Sequence, residues 1–213
     1  MPLIDDEVAE QLEEQLTVLE NEVNLAFFTQ EFECESCQTA RQFLEEFSKL
    51  SNKINLEIYD LKEDSDKAEE YNVDKIPAAV LLDKEKKYSG LRFFGIPAGY
   101  EINSFVNALK LVSGGESELD DEIKDTAAKV EKDVHFQVFV TLQCPYCPKA
   151  VEATQQLAYE NDNITADMLD SSIFNHLAVK YDVSGVPKTI VNETEELVGA
   201  QPPEEFLNAI KNL

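Results

Sequence analysis

Cysteine is scarce in this sequence and fully committed. Its four copies form two Cys-x-x-Cys pairs, Cys34/Cys37 and Cys144/Cys147, leaving none for a structural bridge. In a reducing compartment such pairs read as redox or metal-binding sites. Basic residues are also few: 18 Lys and Arg stand against 43 Asp and Glu, a formal net charge of −25. That argues against nucleic-acid binding, which needs basic patches for phosphate contacts, and against docking on an anionic membrane surface. No stretch has the apolar length of a membrane span. The start, Met1-Pro2-Leu3-Ile4-Asp5-Asp6-Glu7, lacks the basic and apolar regions of a signal peptide, so a cytoplasmic location is expected. With 7 Gly, 8 Pro and 43% hydrophobic residues, the composition is that of a globular protein. Neither histidine, His135 or His176, adjoins a cysteine pair in sequence, and packing roles are expected for both.

What is present is present twice. Cys34-Glu35-Ser36-Cys37 recurs as Cys144-Pro145-Tyr146-Cys147, and Tyr71-Asn-Val-Asp-Lys-Ile-Pro77 as Tyr181-Asp-Val-Ser-Gly-Val-Pro187, both at an offset of 110 residues. Phe105-Val-Asn-Ala-Leu109 returns as Phe206-Leu-Asn-Ala-Ile210, 101 residues on. Three landmarks in one order mean an internal duplication. Two domains are expected, residues 1–115 and 116–213, joined through Ser113-Gly114-Gly115-Glu116-Ser117-Glu118. Hydrophobic periodicity predicts helix, then β-α-β-α-β-β-α, in each half. The fold class is α/β, each domain a mixed sheet flanked by helices. In the second half, for example, a helix is expected over 119–132 and a strand over 134–141.

Each pair follows an apolar run and opens a segment with helical spacing. A thiol there meets unpaired backbone N–H groups and the positive end of a helix dipole, which favour the reactive thiolate. Pro145 suits the first helical position. Two intervening residues let the sulfurs cycle between dithiol and disulfide. Pro77 and Pro187 each lie 43 residues after the first cysteine of their half. A cis-proline loop there would leave backbone groups of Ile76 and Val186 free to pair with an extended peptide. Tyr146 is expected at the rim, contacting substrate. Glu31, Glu33 and Glu35 surround Cys34, whereas Gln143, Pro145, Tyr146 and Lys149 surround Cys144. The C-terminal thiol is therefore expected to be the more reactive.

A strand ending in CxxC at a helix start, with a proline before the next strand, resembles the thioredoxin fold. Cys144-Pro145-Tyr146-Cys147 is similar to the glutaredoxin active site, and two such units in tandem resemble the glutaredoxin-like protein disulfide oxidoreductases. The resemblance implies that Cys34 and Cys144 attack, Cys37 and Cys147 resolve, and Pro77 and Pro187 are cis. It also implies activity on protein disulfides through redox-active disulfides, with no bound cofactor or metal. Electrons would come from an NADPH-dependent flavoprotein of the thioredoxin-reductase kind. Two alternatives stand beside this: a dedicated electron relay for a peroxiredoxin system, and a Cys₄ zinc protein. The N-terminal region of the flavoprotein that reduces bacterial peroxiredoxins is also a tandem thioredoxin-like unit, with one working CxxC.

Overall fold

The computed structural model describes residues 2–213. The first half runs α1 (Asp6–Leu16), β1 (Val23–Thr29), α2 (Cys37–Phe47), a 3₁₀ turn (Ser48–Leu50), β2 (Ile54–Asp60), α3 (Ser65–Glu70), β3 (Ala78–Leu82), β4 (Tyr88–Phe94) and α4 (Glu101–Val112). The second repeats the order as α5 (Asp121–Ala127), β5 (Val134–Val140), α6 (Cys147–Glu160), β6 (Ile164–Asp170), α7 (Asn175–Lys180), β7 (Lys188–Val191), β8 (Glu195–Val198) and α8 (Pro203–Lys211). α5 is shorter than the expected helix over 119–132. The Asn161 amide donates to the carbonyls of Ala127 and Val130 at 2.8 and 2.9 Å, so those acceptors are satisfied without further helical turns.

The halves share one eight-stranded mixed sheet, in the order β2-β1-β3-β4-β6-β5-β7-β8. The junction is a parallel pairing of β4 with β6, from Leu91↔Ala166 to Phe94↔Leu169. Within each half the first strand pairs parallel to the second and antiparallel to the third. Followed across the sheet, these pairings make β1 and β5 parallel, so both strands that lead into a CxxC end at the same edge of the sheet. Four strand spacings, β1-β3-β4-β6-β5, separate them, about 19 Å at about 4.8 Å each.

Strand alternation divides the core between two faces. On one face a single apolar core runs through both halves, including Leu25, Phe27, Phe47, Phe93, Phe105, Phe136, Val138, Leu157 and Phe206. It takes in buried residues of α1, α2, α4, α5, α6 and α8. The other face carries a smaller core under α3 and α7, around Phe28, Tyr71, Phe94, Phe139 and Phe174. Repeat and sheet together translate one half onto the other, which puts α2 and α6 on the same face.

Among the apolar pairs of the junction, Arg92↔Asp167 is charged. Arg92 of β4 clasps Asp167 of β6 through Nε and Nη2 at 2.7 and 3.0 Å, and donates to the Asn72 carbonyl at 2.5 Å. His135 Nε2 lies 2.6 Å from the second Asp167 oxygen. Burial opposes ionisation of Asp167, but Arg92 and His135 beside it hold its carboxyl well below the usual range. A buried carboxylate satisfied on both oxygens by the opposite half ties the halves in one register.

Candidate redox site

Both cysteine pairs are disulfide-bonded, with Cα atoms 5.4 Å apart in Cys34–Cys37 and 5.5 Å in Cys144–Cys147. The helices begin at the second cysteine of each pair, with Ser36 and Tyr146 as caps. Cys34 and Cys144 therefore stand one turn ahead of α2 and α6. Pro148, and not Pro145, occupies the first turn of α6, where a missing N–H leaves no helical bond unmade. Pro145 lies in the turn between the two cysteines and is exposed. The second cysteines are the deeper ones: Cys37 and Cys147 are 1% and 0% exposed, Cys144 is 8% exposed, and Cys34 is half-buried.

The remaining site residues expected from the sequence fall close to the cysteines along the chain or the sheet. The Ile76–Pro77 and Val186–Pro187 peptide bonds are both cis. Pro77 and Pro187 immediately precede β3 and β7 at the sheet edge where β1 and β5 end. The Val186 carbonyl oxygen lies 3.8 Å from Cys144 Sγ. Ile76 and Val186 are half-buried, and Tyr146 is exposed. Because the two pairs belong to strands about 19 Å apart, four sulfurs cannot converge on one tetrahedral ion, which needs each at about 2.3 Å.

One buried acidic residue packed beside the second CxxC helix had no counterpart in the sequence reading. Glu101, the first residue of α4, is 0% exposed. The loop before it packs onto the chain leading to Cys144: the Tyr100 N–H donates to the Leu142 carbonyl at 3.0 Å. At Gly99, φ is +60° and an added Cβ would overlap that same oxygen. Farther along, Asn107 donates to Glu152 of α6 at 3.0 Å. α4 and α6 thus run side by side in one direction, with Glu101 alongside the stretch from Leu142 to the first turn of α6. Burial pushes the Glu101 carboxyl up to about 7, the charges of Glu152 and Asp170 add to this, and the Ser104 hydroxyl opposes it. Its Oε2 accepts from Ser104 Oγ at 2.5 Å, while Oε1 is buried without a hydrogen-bond partner. The buried carboxylates among the described residues are Glu101, Asp167 and Asp170, and none belongs to β1 or α2, which carry the first pair. The sites are therefore unequal in their interior, beyond the surface charges that distinguish them in sequence.

A family profile for the thioredoxin domain matches residues 134–212. The N-terminal domain of the alkylhydroperoxide reductase AhpF of Enterococcus faecalis superposes with a TM-score of 0.90 at 30% identity, over 97% of this chain and 99% of that one. The chain belongs to the thioredoxin-like domain family. A protein disulfide oxidoreductase of Aeropyrum pernix is a second structural relative, with a TM-score of 0.91 and 29% identity over 98% of this chain and 92% of that one. The F component of the alkyl hydroperoxide reductase of Staphylococcus aureus is 26% identical over 208 residues; the match takes in 98% of this chain but only 38% of that relative. The eight-stranded mixed sheet flanked by helices agrees with the tandem arrangement that the sequence resemblance implied. No helix among the described residues is long and apolar enough to cross a membrane.

Proposed function

We propose that the chain is a thiol–disulfide relay of a peroxide-reducing system, receiving electrons from a flavoprotein reductase and passing them to a peroxiredoxin disulfide in a reducing cytoplasm. The observation that carries this reading is the end-to-end likeness to the N-terminal domain of AhpF. It moves the dedicated relay ahead of the broad oxidoreductase that the sequence alone favours.

In the reduced chain the Cys144 thiolate attacks one sulfur of the partner disulfide. The partner's S–S bond breaks, a mixed disulfide forms and one partner sulfur leaves as thiolate. Cys147 then loses its proton and attacks Cys144 Sγ, closing the intramolecular disulfide and releasing the second partner thiolate. Two electrons have moved to the partner. The greater burial of Cys147 supports its resolving role, and the closeness of the Val186 carbonyl to Cys144 supports a docking strand for the partner there. Glu101 heads α4, which packs beside α6, and with its carboxyl raised to about 7 by burial it suits the part of proton acceptor for Cys147. Cys34 and Cys37 perform the same exchange at the first site without a buried carboxylate of their own.

A second reading, reduction of protein disulfides at large, draws support from the presence of both CxxC pairs and from the Aeropyrum pernix relative. The two separate when chain reduced with dithiothreitol, then freed of it, is mixed with an oxidised two-cysteine peroxiredoxin or with insulin. The relay reading expects peroxiredoxin to be re-reduced at least tenfold faster. Equal rates would favour the broad activity, and no transfer to either would overturn both.

A further inference from the structure

The repeat allows the rims of the two disulfides to be compared position by position. At the 110-residue offset Glu31, Glu33 and Glu35 correspond to Thr141, Gln143 and Pro145, and Thr39 corresponds to Lys149. All three glutamates are exposed, as is Lys149. A single counter-charge reaches the first rim: Lys62 Nζ lies 3.9 Å from Glu33, with both side chains more than two-thirds exposed. In the facing loops Asp74 is paired with Lys75 at 2.5 Å, and the second loop carries Ser184 and Gly185 at those positions, with the exposed Asp182 two residues earlier where the first loop has Asn72. The first rim thus holds about two net negative charges, whereas at the second Lys149 is offset by the neighbouring Glu152 and the rim is close to neutral. Phe32, within the acidic rim, is 72% exposed and offers an apolar contact beside the disulfide. Both sites open on the same edge of the sheet, so a substrate disulfide meets each rim from the same side.

We infer that the Cys34–Cys37 site selects disulfides flanked by cationic residues, while the Cys144–Cys147 site accepts neutral and anionic ones. The inference rests on the thiol–disulfide exchange proposed above and divides it between two classes of substrate. At the first site the Cys34 thiolate attacks a substrate sulfur and the departing sulfur leaves as thiolate. Cys37 displaces the second, and two electrons pass from the dithiol to the substrate. A basic group next to the substrate disulfide lies within reach of Glu31, Glu33 and Glu35 as the mixed disulfide forms, and an acidic group there is repelled. Each exposed charge acts weakly through water, but three positions differ together and the effect grows as salt is lowered. The chain is strongly acidic, so a basic partner segment is also drawn to it at long range.

The test isolates each site in the full chain, as Cys144→Ser/Cys147→Ser and Cys34→Ser/Cys37→Ser. Each variant is reduced with dithiothreitol, freed of it, and mixed in single turnover with cystamine, bis(2-hydroxyethyl) disulfide or 3,3′-dithiodipropionate. The rate ratio of the cationic to the anionic disulfide cancels differences in intrinsic thiol reactivity between the sites. At about 10 mM salt that ratio is expected to be at least about tenfold larger at the first site, falling toward unity near 0.5 M salt. Glu31→Gln/Glu33→Gln/Glu35→Gln, all exposed positions, should bring it to that of the second site. Equal ratios at the two sites, or a ratio unmoved by the triple change, would overturn the inference while leaving the exchange reading intact. Failure of both sites with all three disulfides would instead remove the exchange reading on which it rests.

Discussion

Replacing Glu101 with Gln tests the composite second site through both stability and chemistry. The carboxyl ordinarily titrates at 4.5 and is raised to about 7 in the fold. Between those values the native state holds a proton that the unfolded chain releases, so stability falls as pH rises through this window. A raised carboxyl is neutral in both states below the window and must ionise against its surroundings above it. The shift corresponds to about 3 kcal/mol at about 1.36 kcal/mol per unit. Glu101→Gln removes the titration. Relative to wild type, the variant should gain roughly 2–3 kcal/mol between pH 4.5 and pH 8, or about 4–12 °C in melting temperature for a domain of this size. Chemistry should move the other way: without the acceptor, release of the mixed disulfide by Cys147 should slow by about 10²-fold. Its formation by Cys144 should change little. Thermal melts of the oxidised protein across pH, with rapid-quench detection of the mixed disulfide, measure both effects. A pH–stability profile parallel to wild type would refute the burial argument. An unchanged resolution rate would refute the role.

Further outcomes follow from the same structure. Cys147→Ser should accumulate a mixed disulfide through Cys144 on incubation with an oxidised partner, read as a mass shift; accumulation in Cys144→Ser instead would reverse the two roles. In reduced protein Cys144 should be alkylated faster than Cys34 near neutral pH, because the glutamates around Cys34 disfavour its thiolate. Mass spectrometry of iodoacetamide labelling decides this, and faster labelling of Cys34 would show that flanking charge does not control reactivity. Asp167→Asn should destabilise the fold by about 3–5 kcal/mol, since Arg92 is left buried without its counter-charge. Because the Asp167 carboxyl is lowered, its contribution is complete above the ordinary value of about 3.9 and is lost as pH falls through the lowered one. Denaturant melts at pH 7 and pH 3 should therefore differ more for wild type than for Asp167→Asn.

Much of this architecture was legible because the chain repeats itself. Landmarks recurring in one order pointed to two similar units, and the strand expected over 134–141 lies within a residue of the observed ends of β5. The pairing of β4 with β6 was not legible, since periodicity reports which face of a strand is covered and not which strand lies beside it. Arg92, one of only two arginines and set within an apolar strand, was the available clue. The helix start was misplaced for a local reason: Pro145 and Pro148 both suit an N-terminus, and only the turn closed by Cys144 and Cys147 selects the later one. Glu101 had no signal of its own among 43 acidic residues. Its position depends on α4 of one half packing beside α6 of the other, a contact between elements about 45 residues apart. His135 proved half-buried, as expected, but its contact with Asp167 likewise depends on the junction.

That this chain carries electrons between a flavoprotein reductase and a peroxiredoxin through its cysteine pairs is tested most directly by rebuilding the whole path. A nicotinamide-driven flavoprotein reductase, the full chain, a two-cysteine peroxiredoxin and hydrogen peroxide are combined, and nicotinamide oxidation is followed. Peroxide-dependent turnover should saturate with the concentration of this chain, fall at least about 10²-fold in Cys144→Ser and survive Cys34→Ser at a reduced rate. Turnover independent of the chain, or undiminished in Cys144→Ser, would contradict the relay.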